Sequence, residues 1–357
     1  MSMIIPFGPQ HPVLPEPLQL RLEIVDETVV SALPVIGYVH RGLERLAEQK
    51  DFQQDTYLIE HICGICSFMH STTYCAGIEE IMNIEIPERA KYLRVAWSEM
   101  HRIHSHLLAL GLLADAFGFE SLFYQIWRTR EHIMDAMEYT TGGRVMLNAA
   151  CVGGVRKDIN EEQKKFVLEK LALIEAEFKE EAHVLISDSS VRNRTIGVGV
   201  LDAKTAYERG AVGPTARASG LKMDHRMTGY FAYGDLDFEP VVEKDGDAYA
   251  RTKVRISEVY QSIDLVRQAL SKLPDTPLKT AFKGNPNGEA AVRAEQPRGE
   301  VIYYLKGNGT DKLARCRVRT PTFANVAPML HMLNGCNLAN VGVIVLSVDP
   351  CISCTER

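Results

Sequence analysis

The chain predicts a mainly α fold with small β elements (α+β), and three observations point there. Long stretches carry apolar residues at three- and four-residue steps, strictly alternating runs are few and short, and no internal repeat, low-complexity tract or linker divides the 357 residues. A composition that is 46% hydrophobic supports a large core, and residues 1–357 are expected to form a single domain.

Leu18, Leu20, Leu22 and Ile24 alternate within residues 18–30, as in a half-buried strand entering a turn at Asp26-Glu27. Helical spacing takes over before the first cysteine pair. A long helix is expected from about Pro87 to Ala116 on Trp97, Met100, Ile103, Leu107 and Leu110, with Pro87 in its first turn and a second helix over roughly 119–140. Residues 160–186 give the clearest stripe, through Val167, Leu171, Ile174, Phe178, Ala182 and Leu185, and 249–273 read as another helix. Two β-like runs between Val301 and Val318 flank Gly307-Asn308-Gly309 as a hairpin. Gly and Pro gather in Pro6–Pro17, Gly197–Gly220 and Phe282–Gly299, which read as loops where backbone approaches something closely.

The net charge of −6 gives no support for nucleic-acid binding. No apolar run reaches the roughly 20 residues that span a bilayer, and no signal peptide opens the sequence, so a reducing cytoplasm is expected. Eight cysteines are too sparse for a disulfide scaffold. Two pairs stand out: Cys63-Gly64-Ile65-Cys66, and Cys351-Ile352-Ser353-Cys354 close to Arg357. A Cys-x-x-Cys lets two thiolates face one soft metal or each other. Cys351 lies 285 positions beyond Cys66, so only a folded core could join the pairs. Either pair alone fits a zinc knuckle or a redox dithiol equally well. Cys75, Cys151, Cys316 and Cys336 are isolated and read as small buried apolar side chains.

Around these pairs stand Arg41-Gly42-Leu43-Glu44, His70, Pro297-Arg298-Gly299, Arg319-Thr320-Pro321-Thr322 and Asp349-Pro350. In this order and spacing the set resembles the large, catalytic subunit of nickel-iron hydrogenases, most closely the Ech-type, energy-converting, membrane-associated group, over essentially the full length. Gly8-Pro9-Gln10-His11-Pro12, Gly197-Val198-Gly199 and the Gly213–Gly220 segment resemble the related 49 kDa-type subunit of respiratory complex I, which lacks the four cysteines.

The resemblance implies reversible H2 oxidation and proton reduction by heterolytic cleavage at a nickel-iron centre. Nickel would be held by Cys63, Cys66, Cys351 and Cys354. Cys66 and Cys354 would bridge to an iron carrying carbon monoxide and two cyanides. It places Arg298 over the open coordination position, oriented by Asp349, with Thr322, next to Pro321, donating to a cyanide and His70 bonded to a bridging sulfur. Glu16 is the counterpart of the proton gate. Glu44 aligns with a ligand of a magnesium or iron near the C-terminus, although Arg357 stands where the family has a histidine, which favours a Glu44–Arg357 ion pair instead. His101, His104 and His106 are assigned to helix packing or proton traffic. The implied partners are a small subunit with a 4Fe-4S cluster, further hydrophilic and integral membrane subunits on the cytoplasmic side of the membrane, and ferredoxin, with turnover coupled to ion translocation. The competing reading is a non-catalytic coupling or quinone-site subunit of the complex I kind.

Overall fold

A computed structural model describes residues 2–357. Its architecture is α+β, about half helical, with three small antiparallel sheets. At the N-terminus β1 (Met3–Phe7), β2 (Gln19–Val25) and β3 (Thr28–Val35) form a three-stranded sheet. Leu20, Leu22 and Ile24 point inward, and Asp26 and Glu27 make a two-residue turn with φ of 46° and 64°. That is the turn conformation whose twist matches paired strands.

Short helices α1 (Leu43–Ala47) and α2 (Asp55–Glu60) lead to α3 (Ser67–Met82), α4 (Glu88–Ala116) and α5 (Glu120–Thr141). After the two-residue strands β4 (Ala150–Cys151) and β5 (Gly154–Val155) comes α6 (Glu161–Ser187). Its N-terminus is a full capping box. The Asn160 side chain accepts from the Gln163 amide, and the Gln163 side chain returns to the Asn160 amide. Three short helices follow, α7 (Ser189–Thr195), α8 (Ala203–Glu208) and α9 (Gly213–Ala218), before α10 (Ala248–Ser271). Helix α4 packs between α5 and α10, with Trp97, Met100, Ile103 and Leu107 fully buried, and α6 covers α5.

The C-terminal third holds the sheet β6 (Asn287–Gln296), β7 (Gly299–Asn308) and β8 (Leu313–Arg319), then α11 (Pro321–Leu333), α12 (Val341–Val348) and α13 (Ile352–Glu356).

Several expectations change in detail. Pro87 is the extended residue that caps α4, one position outside its first turn. The β7–β8 turn lies after Asn308, because Gly307 and Asn308 still pair with Gly288 and Asn287. Half of the expected Phe282–Gly299 loop is β6, and the Gly197–Gly220 loop contains α8 and α9. The close approach expected there is real. Gly213 packs on the Arg298–Gly299 turn, where a Cβ on Gly299 would stand 2.7 Å from the Gly213 nitrogen. With φ of 129°, Gly299 also occupies backbone space that side chains rarely enter.

Candidate metal centre

The two cysteine pairs, written at opposite ends of the chain, meet in the core. Cys63 and Cys66 lie in the tight turn entering α3, with Cys66 as its N-cap, and Cys351 is the N-cap of α13. Cys63 Sγ is 3.2 Å from Cys351 Sγ, and Cys66 Sγ is 3.5 Å from Cys354 Sγ. The sulfurs of Cys63, Cys351 and Cys354 all lie within 4.8 Å of one another. All four residues are buried, and none is in a disulfide.

This donor set fits a thiophilic metal. Hydrogen bonds among the thiols, that from Cys351 first, pull Cys63 well below the ordinary thiol range, while burial pushes Cys66 and Cys354 well above it. The pocket therefore sheds one proton readily and resists losing more unless a cation replaces them, which is what a thiolate-bound metal does. The amides of Ile65 and Cys354 donate to Cys63 Sγ and Cys351 Sγ at 3.2 and 3.4 Å, so the sulfurs are already oriented.

Arg298 occupies the tip of the β6–β7 hairpin, in the two-residue turn between Gln296 and Gly299. From there its guanidinium reaches Asp349 twice, Nη2 to Oδ1 at 2.7 Å and Nε to the backbone oxygen at 2.8 Å, while Nη1 donates to Ser105 Oγ at 3.2 Å. Burial works against its charge, but Asp349 and the thiols of Cys351 and Cys63 more than offset it, so Arg298 stays cationic. Asp349, with φ of 62°, is the left-handed residue that ends α12. Its Oδ2 is buried without a partner among the described residues.

Helix α11 starts with Pro321 in its first turn, and Thr322 follows with Oγ1 accepting from the Cys351 amide at 3.1 Å. Its own hydroxyl proton is left to donate elsewhere. His70, one turn into α3, places Nε2 3.4 Å from Cys354 Sγ and Nδ1 2.5 Å from Tyr303 Oη. Burial lowers its pKa to about 4, so the ring is neutral, with one nitrogen to donate and one to accept. Glu16, half-buried, accepts from the amides of Ile352 and Ser353 at 2.5 and 3.1 Å and from the Ser353 hydroxyl. It thus sits against the C-terminal cysteine motif from a loop more than 300 residues away in sequence.

Glu44 is engaged otherwise. Its carboxylate takes Arg357 Nε at 3.1 Å, Arg317 Nη1 at 2.9 Å and the Val318 amide at 2.8 Å, so the ion pair with Arg357 is present and is joined by a second guanidinium. His101, His104 and His106 are buried along α4, and none joins a group of possible metal ligands among the described residues.

Sequence reasoning missed three supporting residues. Tyr303 on β7 orients His70, and Ser105 on α4 holds Arg298; neither hydroxyl carries any mark in the sequence. Arg41 had a mark, the Arg-Gly-Leu-Glu motif, but no role. Its guanidinium spans the carbonyls of His61, Ile62 and Ser353, tying the two cysteine segments together.

Comparison with known proteins identifies the family. A family model described as nickel-dependent hydrogenase matches residues 41–114, which contain the first pair. One described as the respiratory-chain NADH dehydrogenase 49 Kd subunit matches residues 116–285 and 278–357. The membrane-bound hydrogenase subunit alpha of Pyrococcus furiosus is 40% identical, over 99% of this chain and 87% of its own. The carbon monoxide-induced hydrogenase of Rhodospirillum rubrum is also 40% identical, over 99% of each. An NADH-quinone oxidoreductase subunit of Chloroherpeton thalassium is 32% identical, over 98% of this chain and 86% of its own. The chain belongs to the family of nickel-iron hydrogenase large subunits, in its energy-converting, membrane-associated group related to the 49 kDa-type subunit of respiratory complex I.

Proposed function

We propose that this chain is the catalytic subunit of an energy-converting nickel-iron hydrogenase, a single domain of the large-subunit type whose terminal segments meet at the metal site. The observation that carries this reading is the convergence of four buried thiols beside one buried guanidinium. Cys63, Cys66, Cys351 and Cys354 would hold nickel, with Cys66 and Cys354 shared with an iron that carries carbon monoxide and two cyanides. When bound, that centre supplies the redox chemistry of heterolytic H2 cleavage.

The protein's own groups prepare the pocket. Arg298 keeps a fixed positive charge there and is held in place from both sides by Asp349 and Ser105. Tyr303 donates to His70 Nδ1, which leaves the Nε2 proton directed at Cys354 Sγ. The Thr322 hydroxyl, with its oxygen fixed by the Cys351 amide, has a free proton that would hydrogen-bond a cyanide of the centre. Glu16 is the proton acceptor on the Cys351 side, its carboxylate steadied by two amides and a hydroxyl. Glu44 serves the Arg357 and Arg317 ion pairs in preference to a magnesium or iron.

Electrons must leave through another subunit, since Cys75, Cys151, Cys316 and Cys336 form no candidate metal group among the described residues. That subunit would carry a 4Fe-4S cluster and pass electrons to or from ferredoxin. No helix among the described residues is long and apolar enough to cross a membrane. Attachment to the cytoplasmic face, and coupling to ion translocation, would therefore run through membrane subunits.

The second reading, a coupling subunit without metal chemistry, is favoured by the 49 kDa match over residues 116–357. Nickel analysis and infrared spectra of the complex from its own host separate the two. One carbonyl and two cyanide bands with stoichiometric nickel are expected; their joint absence would leave the coupling reading.

A further inference from the structure

A second buried polar assembly lies behind Arg298, and the cysteines take no part in it. Four carboxylates and three guanidiniums are locked together there, all with side chains 2% exposed or less. Glu258 on α10 binds Arg217 of α9 at 2.8 Å and His106 Nε2 of α4 at 2.7 Å. Arg217 Nη1 also reaches Glu295 of β6 at 2.7 Å and Asp224 at 3.1 Å. Asp224 binds Arg226 at 2.8 Å, Arg226 binds Glu99 at 3.3 Å, and Glu99 binds Arg102 at 3.1 Å. Counted over these direct contacts the set is one positive charge short, and Arg255 reaches it only by electrostatic attraction to Glu258. His106 does not supply it, because burial lowers that ring to about 4. Arg255, one turn from Glu258, directs its donors at the carbonyls of Arg251, Ser347 and Val348.

The geometry singles out the carboxyl that is worst served. Asp224 takes two nitrogens of Arg226 as well as Arg217. Glu99 takes Arg102, Arg226, Tyr233 and Ser262. Glu258 takes two nitrogens of Arg217 and His106. Glu295 has one guanidinium nitrogen and the backbone amide of His225, and it shares that nitrogen with the anionic Asp224. Its own backbone amide donates to Tyr230. Glu295 also lines a cavity of about 240 Å³ that opens to solvent among Gly213, Lys222, His225, Thr228 and Glu300.

We propose that Glu295 is a proton-holding carboxyl that exchanges its proton with solvent through this cavity and thereby sets the charge of the buried network behind Arg298. A hydronium ion in the cavity gives its proton to the Glu295 carboxylate, so an O–H bond forms at Glu295 as one breaks in the hydronium, which leaves as water, and no electrons move. Two short covalent links join the network to the candidate centre: Glu295 is three residues before Arg298, and His106 follows Ser105, the residue that holds Arg298. Burial, with Asp224 beside it, raises the Glu295 carboxyl to about 7, which places the exchange near neutrality. No metal is needed for this behaviour, so it stands or falls separately from the hydrogenase reading.

The test is a pH-difference infrared spectrum of the intact complex in the protonated-carboxyl region, between about pH 5 and about pH 9. Asp55 and Glu181 are also raised, to about 8 and about 7, so assignment requires variants. Glu295→Gln is expected to remove one titrating band, and Glu300→Gln, at the rim of the same cavity, to leave it. A titration unchanged in Glu295→Gln would overturn the proposal. If that variant fails to fold, Glu295→Asp should shift the band and its midpoint, and an unshifted band would overturn the proposal equally.

Discussion

The thiol pocket and the charge network are both polar assemblies in the interior, and they meet the cost of burial in opposite ways. In the network almost every carboxylate faces a guanidinium from another element, so the protein supplies both signs. In the pocket four potential anions gather around one another, and the single guanidinium beside them is itself matched by Asp349. A buried group of charges lacking its own counterions needs help from outside the chain. The network therefore comes within one charge of balance from the protein's own groups, whereas the pocket would need a metal.

The largest effects should come from breaking the pocket. Cys63→Ser and Cys354→Ser should each abolish nickel retention and melt like the metal-free wild type, since the removed thiol leaves no opposite charge stranded and only the stabilisation by the metal is lost. Metal analysis beside a melting curve checks both halves, and retained nickel would remove the ligand assignment. Arg298→Lys should keep the metals but lower turnover by roughly 100-fold, because a point charge cannot hold Asp349 and Ser105 together in the arginine's fork. Near-normal turnover would take Arg298 out of the mechanism.

Breaking the network should do the reverse. Arg217→Met leaves Glu258, Glu295 and Asp224 facing one another without their shared cation, at a cost of about 3–5 kcal/mol in stability. Chemical denaturation would measure it, with nickel content per folded molecule unchanged. If nickel fell in proportion to stability in both regions alike, the distinction between them would fail.

What could be seen in the sequence follows the same division. The amphipathic helices α4, α6 and α10 were legible because each shows one apolar stripe. Helix α3, which carries His70, was not, since its buried run is largely polar (Ser67, His70, Ser71, Thr72 and Thr73) and shows no apolar stripe. Helix α4, buried throughout Tyr92–Leu107, still repeats large apolar residues at helical steps. Strand β6 was hidden by small residues such as Ala290, Ala291 and Ala294, whose strand state is decided by pairing with β7. The cysteines were legible as two Cys-x-x-Cys pairs, and Arg298 and Asp349 only through the resemblance of the motifs around them to a known family. Glu99, Arg102 and Glu258 were not, because a charge within a helix ordinarily reads as a solvated face and only tertiary contact reveals it as buried.

Asp55 is the intermediate case that sharpens the comparison: a buried carboxyl with neither a metal site nor a guanidinium. Among the described residues its side-chain partner is Tyr74 Oη at 3.5 Å, and its Oδ1 has none. Burial raises its pKa to about 8, so the folded protein holds it protonated at neutrality. The unfolded chain ionises it near an ordinary aspartate value of about 4. Stability from this group is therefore fully present below that value and falls as pH rises toward 8, beyond which it stays low. Asp55→Asn keeps the shape and cannot ionise, so it should flatten this part of the profile and stabilise the protein by on the order of 5 kcal/mol at about pH 8, with little change at about pH 4. Unfolding of wild type and variant across that range would show the two curves diverging upward in pH. Parallel curves would mean that Asp55 is charged in the fold and has a counterion, which would place it with the network.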